Sequence, residues 1–175
     1  MSTVTQSLSV EDRVAAARRG RETRLASTLV IPLPAPYGQL IAAEYRILRE
    51  TEKMQATRGH DVEEGDIEET VDAAADMLLR ACEDVLDIIN PGDPKATPPV
   101  PPSYQSRGHT WTPAAVGRLF GVDAPEGVTA RIMFRMALDG DLILDHLTAY
   151  NKRVDAILDA GEEAAQGEAE PSAEG

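Results

Sequence analysis

Apolar residues recur at helical spacing in several parts of the chain, most clearly between residues 66 and 89. They fall three or four positions apart, which indicates a helix with a wide apolar stripe that must be buried against another surface. Asp66, followed three residues later by Glu69, is typical of a capped helix start. The sequence N-P-G-D-P after residue 89 is typical of a helix end. The pattern therefore predicts one long helix over residues 66–89.

Three more helices are predicted in the C-terminal half. Thr112 followed by Pro113 is a strong start signal, because proline fits the first helical position. This helix is expected to run to about residue 120. Apolar spacing then predicts two further helices, over about 127–138 and about 141–158, separated by D-G-D.

The segment between residues 27 and 49 has a different pattern. Alternating prolines between residues 32 and 36 exclude a helix and a central strand there. We therefore expect an edge strand or extended arm over 27–33. Residues 40–49 fit either a strand or a helix, and a small hairpin is the preferred prediction.

The predicted fold class is mainly α: a small helical domain with a short extended or β-hairpin element near the N-terminus and disordered termini. Residues 1–26 form a basic, partly ordered arm, with a helix that Ser9 and Asp12 would cap. Residues 27–160 form the helical domain, with a proline-rich linker at 90–110. Residues 161–175 are predicted to be an acidic disordered tail.

Charge and composition narrow the functional classes. The chain has 175 residues, 30 acidic and 17 basic, and a net charge of −13. Nonspecific DNA affinity comes from lysine and arginine, so this charge disfavours a nucleic-acid partner. A single cysteine excludes an intrachain disulfide and is consistent with a reducing cytoplasm. Neither a secretory signal nor the roughly 20 apolar residues of a membrane span is expected.

Signals for catalysis are weak. The sequence contains no glycine-rich phosphate loop, no G-x-S-x-G and no histidine pair at metal spacing. Asp139, Asp141, Asp145 and His146 resemble a metal cluster, although helix capping by Asp141 with the other side chains in solvent is the favoured interpretation. Cys82 lies on an apolar stripe and is interpreted as a core residue. We therefore expect no enzyme activity, no catalytic or metal-binding residues and no cofactor.

Residues 112–138 could also be a helix-turn-helix DNA reader. Of the second helix, Thr129, Arg131 and Arg135 are the residues that could contact DNA. Acidic residues follow them, and the connection between the helices is longer than the usual turn of about 3–4 residues. A small DNA-binding regulator is therefore kept as an alternative.

The order of the segments resembles a known family. An extended apolar-proline stretch precedes A-D-M-L-L-R-A-C-E-D-V, and a proline-rich gap leads to T-P-A-A-V-G-R-L-F-G-V, A-R-I-M-F-R-M and D-L-I-L-D-H-L-T-A-Y. Over about residues 27–160 this pattern is similar to the tail assembly chaperones of siphophages that infect actinobacteria. The resemblance implies a non-enzymatic holdase in the host cytoplasm that coats the tape measure protein and promotes tail tube assembly. A longer frameshifted form is also typical of that family.

A chaperone of this kind needs apolar surface to cover its client and net charge to keep the complex soluble. The apolar stripes of the helices at 66–89 and 141–158 are the predicted client-binding faces. Their candidate residues are Leu78, Leu79, Val85, Leu86, Leu142, Leu147, Tyr150 and Val154. Self-association is a further expectation, and a structural tail or head-tail component of the virion is a second alternative.

Overall fold

The computed structural model describes residues 8–60 and 66–167, which form an α+β fold. The strands are β1 (Thr28–Pro32), β2 (Ile41–Arg46), β3 (Cys82–Asn90) and β4 (Ser103–Ser106). The helices are α1 (Val10–Leu25), α2 (Glu50–Ala56), α3 (Ile67–Ala81), α4 (Pro113–Phe120), α5 (Ala130–Ala137) and α6 (Gly140–Gly167). The strands form one antiparallel sheet in the order β1-β2-β3-β4.

The mainly α prediction is wrong, because the long helix predicted over 66–89 is a helix followed by a strand. Helix α3 ends at Ala81, and Cys82 has extended backbone angles, φ −68° and ψ 126°. Strand β3 lies between β2 and β4, and Val85 and Leu86, which point to opposite faces of the sheet, are both buried. A short strand buried on both faces is a run of apolar residues, which periodicity alone does not distinguish from a helix.

The N-terminal hairpin is confirmed, as one half of this sheet. Strands β1 and β2 pair with Ile31 opposite Ala43. Strand β1 lies at the sheet edge, where Pro32 costs no ladder hydrogen bond. Residues 90–110, predicted to be a proline-rich linker, contain β4 and a β-bridge between Asp93 and Val100.

The hydrophobic core lies between one face of the sheet and the helices. Helices α3 and α6 contact each other, and they contact β2 and β1 respectively. Side chains alternate between the faces of a strand, so Ile31, Ala43 and Val85 form a row across three strands on the inner face. All three belong to the buried core. We call the opposite side of the sheet the outer face.

The C-terminal helices agree with the prediction in number and order. The Thr112 side chain caps α4, and Gly121 ends it with a left-handed φ of 67°. Helix α5 buries Met133 and Phe134. Ile132 and Met136 on the same helix are 48% and 52% exposed.

Helices lie near both ends of the chain. The N-terminal helix is confirmed at Val10–Leu25, with the Asp12 amide donating to the Ser9 hydroxyl oxygen at 3.1 Å. Residues 161–167 of the predicted disordered tail belong to helix α6. The rest of that tail, residues 168–175, lies outside the described residues, as do residues 1–7.

Candidate protein-binding surfaces

The residues predicted to bind a client lie mainly inside the protein. Five of them are buried: Leu78, Val85, Leu86, Tyr150 and Val154. The other three are partly buried and pack against the core: Leu79, Leu142 and Leu147. The apolar stripes of α3 and α6 therefore hold the fold together and leave little free surface for a client. Leu86 differs from the others because it lies on the outer face of the sheet.

The outer face carries an apolar patch that the sequence did not reveal. Pro32 pairs with Ala42, Ala42 pairs with Leu86, and the neighbouring pair is Ile88 with Tyr104. Ala42 and Leu86 are buried, whereas Ile88 and Tyr104 are half-buried and Pro32 is exposed. We call these five residues the outer-face patch. Solvent therefore reaches the side chains of Pro32, Ile88 and Tyr104 but hardly reaches those of Ala42 and Leu86.

Leu40 extends the outer-face patch. The Ile88 amide donates to the Leu40 carbonyl at 2.9 Å, and the Leu40 side chain is 63% exposed. At the other end of the outer face, the carboxylates of Glu44 and Asp84 lie opposite each other on paired strands. The outer face is therefore apolar at one end and acidic at the other. This arrangement suits an amphipathic segment that carries basic residues next to its apolar stripe.

Helices α3 and α5 are joined by a second feature, a seam of ion pairs. The Arg131 guanidinium donates to Asp76 at 3.0 Å, and the Arg135 guanidinium donates to Asp72 at 2.8 Å and also to Glu68. We call this set the α3–α5 seam. The acidic residues of the seam lie one helical turn apart on α3. Two arginines on the short helix α5 can therefore reach three of them.

The seam bears on the DNA-binding alternative. Arg131 and Arg135 are held by acidic side chains of α3. The Thr129 hydroxyl caps α5, accepting from the Ile132 amide at 3.3 Å. All three residues offered for DNA contact therefore have roles within the protein, and the acids beside the two arginines would repel phosphate groups.

His60 adjoins the seam and was not singled out by its sequence context. Its Nδ1 lies 3.1 Å from a Glu69 oxygen and its Nε2 lies 2.6 Å from an Asp76 oxygen. The hydrogen bond that the His60 imidazole donates to Asp76 raises the pKa of His60 above its usual value, and Glu69 adds to the effect. The two carboxylates engage opposite ring nitrogens, so the three groups cannot converge on one ion. The imidazole instead fastens the segment after α2 to α3.

Beneath the sheet lies a buried polar network. The Trp111 indole N–H donates to the Tyr45 hydroxyl oxygen at 3.2 Å, and that hydroxyl lies 2.7 Å from Nε2 of His146. Tyr150 completes the cluster: its hydroxyl accepts from the Leu48 amide at 3.1 Å and donates to the Arg46 carbonyl at 3.0 Å.

Burial fixes the protonation states of this network. It lowers the pKa of His146 to about 4, against a smaller opposing effect of the Pro32 backbone. It also raises the pKa of Tyr45 well above 10. Both groups are therefore neutral at pH 7. The network is enclosed by the core and is structural.

The structure also places the remaining sequence candidates. The Asp139 carboxylate accepts from the Leu142 amide at 3.0 Å, so Asp139 and not Asp141 caps α6. His146 is buried away from these acids, and within the described ranges no three metal-ligating side chains converge. Cys82 is confirmed as a core residue, and burial raises the pKa of its thiol to about 12.

Comparison with known proteins gave no match to any family model, curated protein or solved structure. Among the described helices, none combines the length and apolarity that crossing a bilayer requires.

Proposed function

We propose that this chain is a non-enzymatic phage tail assembly chaperone that acts in the host cytoplasm, binds the unassembled tape measure protein and promotes tail tube assembly. The resemblance in the order of segments over residues 27–160 supplies the candidate family. The observation that carries the proposal is the outer-face patch, because it is apolar surface placed for contact with another chain.

The proposed client site is therefore the outer face, which replaces the helical stripes expected from the sequence. An antiparallel sheet commonly packs one face on the core and leaves the other accessible. A client helix would pack against the outer face as α3 and α6 pack against the inner face. A tape measure protein is long and helical, so it supplies many segments of this kind.

Charge supports the same assignment. With 30 acidic and 17 basic residues, the chain would give its complex with a client a net negative charge, and that charge would keep separate complexes apart in solution. Glu44 and Asp84 would also select client helices that carry lysine or arginine beside the apolar stripe.

The test is a pulldown of the tagged chain from cells producing the native particle, with partners identified by mass spectrometry. The proposal expects a long helical tail protein as the main partner and the chain's absence from purified virions. Recovery of the chain in purified virions would support the alternative of a structural tail or head-tail component. Recovery of DNA with no helical partner would support the regulator instead.

A further inference from the structure

Three arginines of helix α1, Arg18, Arg21 and Arg24, follow one another at intervals of three residues. Residues three apart are neighbours on a helix surface, so these side chains form one row, which we call the arginine row. Arg24 packs so closely on α6 that a Cβ at Gly161 would overlap its guanidinium group. Arg18 and Arg21 are exposed. The arginine row therefore starts beside α6 and continues along α1 into solvent.

The arginine row has no ion-pair partner among the side chains that the structure describes. Glu22, the acid next to it in sequence, is engaged by Arg49 at 2.7 Å. The other acids of α1, Glu11 and Asp12, lie in its first turn. The Nε of Arg24 is buried without a hydrogen-bond acceptor. This half of α1 therefore carries an excess of positive charge that its own helix does not neutralise.

Residues 168–175, which follow α6 in the sequence, have the opposite charge. They read E-A-E-P-S-A-E-G, with three glutamates and no basic residue. The segment therefore matches the three guanidinium groups of the arginine row in sign and in number. It has no large apolar side chain, so charge is the main attraction that it can offer to another surface.

The end of α6 places this segment within reach of the arginine row. Helix α6 continues from Gly161 to Gly167, about 9 Å at the usual rise per residue. Arg18 likewise lies about 9 Å from Arg24 along α1. Eight extended residues span about 27 Å. The segment can therefore reach the whole row whether α6 runs towards Arg18 or away from it.

The covalent connection favours the chain's own segment over a separate partner. A single exposed ion pair adds little stability, so a free acidic peptide would bind poorly. A short tether gives an effective concentration on the order of millimolar, which makes weak pairs sufficient. A separate polyanion such as DNA lacks this tether and approaches a chain with a net charge of −13.

We infer that residues 168–175 fold back onto the arginine row of the same chain, with their glutamates paired to Arg18 and Arg21. No residue of α1 is buried, and an isolated helix of its length is only marginally stable in water. The contact therefore fastens α1 to the end of α6. It is a property of the chain alone and does not depend on the proposed client.

The test is paramagnetic relaxation enhancement in the isotope-labelled full-length chain, with a nitroxide attached to Ser172→Cys. Cys82 is buried and the pKa of its thiol is raised to about 12, so the reagent modifies the introduced thiol. At low salt, the amide signals of residues 17–21 should lose intensity. The loss should disappear at about 1 M salt, where the Debye length is about 3 Å.

Two double variants separate ion pairing from mere proximity. Arg18→Gln combined with Arg21→Gln removes two charges from the arginine row. Lys95→Gln combined with Arg118→Gln removes two charges at exposed positions elsewhere. The first variant should abolish the loss of signal and the second should retain it. Circular dichroism checks that both variants keep the helix content of the unaltered chain.

Three results would overturn the inference. The first is an unaltered chain without loss of signal, and the second is an equal loss in both double variants. The third is a loss in a mixture of nitroxide-labelled copies and isotope-labelled copies, which would place the segment on a second copy. If the nitroxide has no effect but a short duplex DNA shifts the signals of residues 17–21 at the same salt, the arginine row belongs to a nucleic-acid site instead.

Discussion

At the residue scale, Tyr45 is the centre of the buried network. Its hydroxyl oxygen accepts from the Trp111 indole N–H at 3.2 Å and lies 2.7 Å from Nε2 of His146. Tyr45→Phe would leave a buried indole N–H and a buried imidazole nitrogen without partners. We expect a loss of about 1–3 kcal/mol in the free energy of unfolding, measured by urea denaturation.

Tyr37→Phe is the matched control for that variant. Tyr37 is partly buried, and its ring packs edge-on against Phe120, with the ring centroids 5.2 Å apart. Its loss should stay within about 0.5 kcal/mol, as for substitutions away from a buried hydrogen bond. Equal effects of the two variants would show that the network adds no stability.

His146 makes stability depend on pH on the acid side. Its pKa is about 4 in the folded state, below the usual 6.5. The unfolded chain therefore binds a proton first as pH falls, and this contribution is present above pH 6.5 and is lost between pH 6.5 and 4. We expect the free energy of unfolding to fall by about 3 kcal/mol across this window. In His146→Gln, urea denaturation should show a shallower dependence on pH, and an unchanged dependence would contradict the assignment.

His60 makes stability depend on pH in the opposite direction. Asp76 and Glu69 raise its folded-state pKa above 6.5. Its stabilising contribution is therefore complete below pH 6.5 and is lost as pH rises through the raised pKa. His60→Gln should remove this decline on the alkaline side while leaving the acid-side dependence in place. A decline that persists in the variant would mean that another group causes it.

At the scale of elements, capping residues in the sequence identified the helix starts. Tertiary burial decided whether an apolar segment became a helix or a strand. Ser9, Asp66, Thr112 and Thr129 all cap helices, and the first three were identified from the sequence. The end of α3 was missed because β3 continues the apolar spacing of the helix before it. Only its position between β2 and β4 makes this segment a strand.

The α3–α5 seam gives a prediction at this scale. Arg135 is 29% exposed and engages both Asp72 and Glu68. Arg135→Ala should cost about 0.5–1.5 kcal/mol in the free energy of unfolding at low salt, and less at high salt because the pairs are partly screened. Arg153→Ala, at an exposed position on α6, is the control and should have almost no effect. A salt-independent loss for Arg135→Ala would indicate that packing and not charge joins the helices.

At the scale of the whole molecule, the inner face of the sheet holds the fold together, and the proposed client site lies on the outer face. The sequence placed Leu78, Tyr150 and Val154 on amphipathic helices correctly. Periodicity does not show, however, whether an apolar stripe packs inside its own chain or against a partner. The outer-face patch could not be predicted, because its residues come from four strands that are distant in sequence and meet only through the sheet register. The acidic net charge was available from composition alone.

The most direct measurement of the central claim is the amount of tape measure protein that stays in solution when it is co-expressed with the chain. Leu40→Glu and Tyr104→Glu alter the outer face, and Met54→Glu adds the same charge elsewhere. If the outer face binds the client, the unaltered chain and Met54→Glu should keep the tape measure protein soluble and co-purify with it, and both outer-face variants should lose it. Equal recovery with all four chains would contradict the account.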